Sequence, residues 1–166
     1  MILGMSVGAF TLLHVIITLV AIGSGLIVVG GMFASHRLPG TTALFLFTTL
    51  LTSVTGFLFP IHGFTPALGV GILACVILMV ALFALYREHL VGAWRWIYVI
   101  TAIVSLYLNV FVLVAQSFMK VSTLNALAPT QSEPPFAITQ AAILVMFIVI
   151  GLIAVANFRP VSAGRM

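Results

Sequence analysis

His14 is the residue around which chemistry could be built. It is ionisable, lies inside a long apolar stretch, and shares one helical stripe with Thr11, Thr18, Ala21 and Gly25 at three- and four-residue steps. An ionisable group in hydrocarbon is costly, so it is a functional candidate by default. Two further apolar stretches carry matching stripes: Thr48, Thr52 and Thr55 on one, and Tyr98, Thr101, Ser105, Asn109, Gln116 and Lys120 on another. Thr139 and Gln140 add a polar pair near the start of the last stretch. At 1.5 Å per helical residue, His14 lies ~12 Å below one surface, Gln116 and Gln140 ~6 Å, Asn109 ~16 Å, Thr52 ~10 Å and Thr55 ~6 Å. Polar groups from four stretches thus share one half of the membrane. They define a candidate ligand pocket of His14, Thr18, Thr52, Thr55, Asn109, Gln116 and Gln140. His62, Lys120, Gln131 and Glu133 form its roof, where Glu133 can pair with Lys120.

Several chemistries can be weighed against this set. A b-type haem needs two facing imidazoles, and only His14 lies within an apolar stretch. A haem or copper centre would therefore have to recruit His62 from a loop, and these two are the only metal-ligand candidates. No HExxH, CxxC or carboxylate cluster points to zinc. No carboxylate within a stretch could orient His14 in a triad, so nothing points to catalysis. Proton-coupled transport usually uses a membrane carboxylate, which is also lacking. A quinone or lipid-like ligand suits the available donors better. The competing reading is packing: Ser and Thr bond back to their own helix, Asn and Gln join helices, and small residues such as Ala21, Gly23, Ser24 and Gly25 allow close approach. His36 beside Arg37 and His89 beside Glu88 read as solvated loop residues. Cys75, the one cysteine, reads as a small buried hydrophobe.

The elements that must position these groups follow from composition. Of 166 residues, 63% are hydrophobic and 5% charged. Soluble domains carry about 25% charged residues, and eight charged side chains cannot clothe a globule of this size. That excludes a soluble enzyme and a disordered chain. The high pI reflects six basic residues against two acidic ones, with no basic run, so no nucleic-acid partner is implied. A bilayer core of about 30 Å needs roughly 20 apolar residues per helix. Five stretches qualify: 7–33, 41–59, 67–86, 96–119 and 136–158. Breaks at 35–40, 60–66, 87–95 and 120–135 contain Gly, Pro or charge. The first stretch lacks a basic flank and exceeds a signal-peptide core, so it is expected to persist. The third offers only Cys75 as a polar group and is expected to face lipid most.

The sequence thus predicts an all-α, single-domain bundle of five transmembrane helices. Arg37, Arg87, Arg95, Arg159 and Arg165 fall at one end and only Lys120 at the other. By the positive-inside rule the N-terminus is outside, the C-terminus is cytoplasmic and the pocket faces outward. Trp94, Trp96 and Tyr98 are expected at the cytoplasmic interface. The lipid bilayer is the expected partner; a larger membrane complex or a homo-oligomer is compatible with loops this short.

The segment 13–56 also carries His14, Ala21-x-Gly23-Ser24-Gly25, His36-Arg37-x-Pro39-Gly40 and Thr55-Gly56. It resembles the first two helices of uncharacterised bacterial multi-span inner-membrane proteins. The resemblance covers about a quarter of the chain. It implies a bacterial cytoplasmic membrane and makes His36-Arg37 a motif, but it implies no activity. The reading is a small membrane binding protein or accessory subunit. The alternatives are a transporter or channel component, then a haem or copper redox protein.

Overall fold

The computed structural model describes residues 1–60, 63 and 66–160. Five helices are long and apolar enough to cross a membrane. The first, α1 (Val7–Phe33), starts at Ser6, whose hydroxyl accepts the Ala9 amide at 3.2 Å. It ends where Ser35 takes a positive φ of 57° and the chain turns back. Pro39 sits in the first turn of α2 (Pro39–Phe57), where its missing amide leaves no donor unsatisfied. Next comes α3 (Pro66–Leu82), prolonged by a π-turn over Phe83–Arg87 that closes with the Glu88 amide on the Phe83 carbonyl. The longest elements are α1 and α4 (Trp94–Lys120). A short α5 (Ser122–Leu127) then occupies part of the break expected to be plain loop. Finally α6 (Pro134–Asn157) again opens on proline.

Helices α1 to α4 form an up-and-down ring. Each packs on its neighbours in the order α1–α2–α3–α4–α1, while α2 and α4 touch only slightly across the middle. Such a ring follows from short connections between successive antiparallel helices. Helix α6 lies outside it, against α4 and less closely against α1. Large apolar side chains such as Leu12, Ile27, Phe47, Met79 and Leu152 cover the outer faces. A contiguous apolar coat of this kind belongs in lipid.

The middle of the ring is closely packed. A Cβ on Gly25 would lie 2.7 Å from Leu106 Cδ1 and 2.9 Å from Phe45 Cε2, so only glycine lets α1 approach here. Phe45, Leu46, Leu78, Val99 and Leu106 are fully buried around this point.

Three expectations about the helix faces need correction. The helix most given over to lipid is α6, with 17% of its apolar window buried against 22% for α3. Helix α3 and the π-turn that prolongs it turn Ala74, Leu78, Ala81 and Ala84 inward. Polar residues mark an inward face only where the interior is polar, and here much of the interior is not. Cys75 is half-buried rather than enclosed. Of the aromatic trio, Trp96 is exposed but Tyr98 is buried within the bundle.

Candidate functional site

At the end of the ring where α1 and α3 begin and α2 and α4 finish, the four helices enclose a cavity of about 670 Å³. Small-molecule sites typically span ~300–1,000 Å³. Thr11, His14, Thr18, Thr52, Asn109 and Gln116 all line it, with Lys120 at the rim. The opposite wall, from α3, consists of Ala67, Leu68, Val70, Gly71 and Ala74. That wall comes close because Gly71 has no side chain: a Cβ there would meet the Phe57 ring at 2.7 Å.

Three polar rungs cross the helix seams and step inward. Outermost, His14 Nδ1 lies 2.8 Å from Thr55 Oγ1. One turn deeper the Thr18 and Thr52 hydroxyls stand 3.4 Å apart. Deepest, Asn109 Nδ2 donates to Thr49 Oγ1 at 3.2 Å, and Thr49 is fully buried. The spacing is helical: Thr49, Thr52 and Thr55 are three apart, and His14 and Thr18 four apart.

The tautomer of His14 is coupled to the Thr55 hydroxyl. That hydroxyl has one proton and stands 2.7 Å from the Leu51 carbonyl as well as 2.8 Å from Nδ1. With the proton directed at the Leu51 carbonyl, the imidazole donates from Nδ1–H and Nε2 is an acceptor; with it directed at Nδ1, the roles of the two ring nitrogens reverse. The Phe59 ring meets the imidazole edge-on, with centroids 5.4 Å apart at 88°, and fixes its plane. Gly56 leaves room beside it: a Cβ there would stand 3.7 Å from His14 Cε1.

The structure thus brings together His14, Thr18, Thr52, Thr55, Asn109, Gln116 and Lys120. It separates Gln140, which donates from Nε2 to the Phe111 carbonyl at 3.1 Å in the α4–α6 seam, with its Oε1 buried and unpartnered. Gln131 also turns away, donating to the Ala115 carbonyl at 2.6 Å. Glu133 does not pair with Lys120. It accepts the Thr130 hydroxyl at 2.8 Å and the Thr130 and Ser132 amides at 3.2 Å each, closing its own loop. Desolvation pushes this carboxyl up, but the Thr130 hydroxyl and the local amides outweigh it and hold it below the ordinary value. The expected roof therefore reduces to Lys120; His62 lies outside the described residues. Among the described residues no three His, Cys, Asp or Glu side chains gather as metal ligands.

Sequence reasoning missed Thr49, Ser53 and the α3 wall. The stripe Thr49-Thr52-Ser53-Gly56 was present at steps of three, four and seven, but Thr48 competed for the same face. Thr48 in fact bonds back to the Leu44 carbonyl at 2.7 Å. Thr101 and Ser105 also bond back to the Ile97 and Thr101 carbonyls, and they line neither the His14 cavity nor the smaller one at the far end, so they do not extend the polar lining. At the far end a smaller cavity of about 220 Å³ lies among Met32, His36, Arg37, Thr42, Tyr86 and Tyr98. Arg37 there reaches the His89 carbonyl at 3.4 Å, which joins the 35–40 turn to the turn after α3. Both histidines are exposed. Comparison with protein-family models, with curated proteins and with solved structures finds no match to this chain.

Proposed function

We propose that this chain is a small integral membrane protein that holds a lipid-soluble amphiphile, a quinone or a lipid, in the His14 cavity. One observation carries the reading: the cavity has polar rungs on its α1, α2 and α4 walls and an apolar wall on α3. Such a lining fits a polar head joined to an apolar body. A structural bundle needs no space of that size among its polar groups, since close packing is what holds membrane helices together. The reading extends to a bacterial cytoplasmic membrane with the cavity facing outward. Arg37, Arg87, Arg95 and Arg159 at the far end, against Lys120 alone at the cavity end, support that orientation. Reporter fusions at Met166 are expected to be active only on the cytoplasmic side.

The binding reading is tested by purifying the protein from membranes and identifying extracted small molecules by mass spectrometry. An amphiphile present in stoichiometric amount, and lost on His14→Ala or Asn109→Leu with the fold retained, is the expected result. Loss of fold in Asn109→Leu with no extractable ligand in the parent would instead favour packing alone. An absorption spectrum of the same sample separates the haem reading by its Soret band. A transport component is the second reading, favoured by the cavity at each end of the ring. The packed layer around Gly25, Phe45 and Leu106 stands between the two. Transport would require that layer to open, and flux through liposomes would reveal it.

A further inference from the structure

Resting on the amphiphile reading, we infer that the head group is an oxyanion, a carboxylate or phosphate on an apolar chain, bound between Lys120 and Gln116. The chain contains two acidic residues, Glu88 and Glu133. Glu88 follows the π-turn at the end of α3, at the opposite end of the ring from the cavity. Glu133 is taken up by Thr130 and Ser132. Lys120 is thus the one charged residue lining the cavity, and it has no carboxylate partner among the described residues. One helical turn deeper, Gln116 also lines the cavity, and its carboxamide makes no hydrogen bond to any described residue. Its amide donors are therefore open to a ligand. Ser117 does not compete as a donor, because its hydroxyl is directed at the Leu113 carbonyl, 2.8 Å away.

An unpaired ammonium and an unengaged amide on one helix face, at the mouth of a largely apolar cavity, select for negative charge. Charge-assisted hydrogen bonds are shorter and stronger than neutral ones. Val112 and Leu113, about two turns deeper on α4 than Lys120, together with Val15, Phe57 and Val70 on the other walls, supply apolar surface for a chain. A quinone head offers only neutral carbonyls and would form no charge pair with the ammonium. Free phosphate would satisfy Lys120 but leave the apolar wall empty.

The test is equilibrium titration of the full chain in uncharged detergent, with protein-free micelles as blank. The probes are oleate, oleyl phosphate, oleyl alcohol, a short-chain quinone and inorganic phosphate. At least one of the two oleyl anions is expected to bind roughly tenfold or more tightly than oleyl alcohol, a gap of about 1.4 kcal/mol. Lys120→Gln should abolish the preference for that anion, weakening the anion far more than the alcohol. Lys120→Arg should retain most of the preference. Because Lys120 is exposed at the helix end, both variants should keep the parent unfolding midpoint. Equal binding of anions and alcohol, or no response to Lys120→Gln, would overturn the inference while the amphiphile reading stands. Preference for the quinone would do the same. Inorganic phosphate binding as tightly as oleyl phosphate would remove any role for the chain and overturn the lipid part. If no oleyl compound and no quinone binds, the amphiphile reading itself falls.

Discussion

Replacing Gly25 by alanine probes the packed layer that closes the inner end of the cavity. In a helix interior, alanine is favoured over glycine by about 0.5–1 kcal/mol, so the substitution alone should stabilise α1. The added methyl, however, would lie 2.7 Å from Leu106 Cδ1 and 2.9 Å from Phe45 Cε2. Real carbon contacts are rarely so short, and both neighbours are about 1% exposed, with no free space to retreat into. Overpacking of this kind costs about 1–3 kcal/mol. Gly23 is the internal control, because a Cβ there meets nothing within 4 Å and the backbone is equally helical. Subtracting one substitution from the other removes the propensity term. Gly25→Ala should therefore be about 1–3 kcal/mol less stable than Gly23→Ala, measured as the shift in unfolding free energy in a denaturing-detergent titration. If the two variants unfold together, the close approach of α1 to Phe45 and Leu106 is not a feature of the folded protein.

Other outcomes follow from single contacts. Thr49→Val leaves the Asn109 carboxamide short of its interhelical acceptor and should cost about 0.6–1.7 kcal/mol, the range for such bonds in membrane proteins. Combined with Asn109→Leu the losses should be less than additive, and additive losses in the double-mutant cycle would mean the two side chains do not interact. Arg95→Met removes a guanidinium that donates to the Val155 and Phe158 carbonyls. It should free the C-terminal turn of α6, seen as faster amide exchange at 155–158 with no change near His14. Glu133 titrates below its ordinary value of 4.5. Its contribution to loop order is thus complete above that value and lost as pH falls through the lower, folded pKa. The Thr130 amide resonance should report this; a midpoint above the ordinary value would contradict these hydrogen bonds to Thr130 and Ser132.

How far the sequence disclosed this structure depended on which physical rule was at stake. Span number and length followed from hydropathy, because a bilayer imposes a minimum length and Pro39, Pro66 and Pro134 mark helix starts. The grouping of His14, Thr52, Asn109 and Gln116 followed from polar periodicity, since a polar side chain avoids lipid. Periodicity failed for Gln140, because an inward carboxamide can satisfy itself on a carbonyl in any seam, and α6 met α4 on the outside of the ring. It failed for α3 because alanines and Gly71 line an interior as readily as they face lipid. The expected Lys120–Glu133 pair failed for a local reason. A carboxylate three residues from Thr130 and adjacent to Ser132 finds donors in its own turn, with no need of a distant ammonium.

The position of α6 outside the ring bears on how the protein is assembled. Every residue of the ring and of the cavity lining has been synthesised by Val121, and chains emerging from the ribosome fold from the N-terminal side. The last span is therefore expected to dock onto a bundle already formed, where it is held at one end by the Gln140 amide on Phe111 and at the other by Arg95. Neither contact belongs to the cavity. Co-expression of 1–127 with a separate 128–166 fragment should consequently reconstitute the native bundle, with α6 behaving as a detachable subunit joined to its host by a tether.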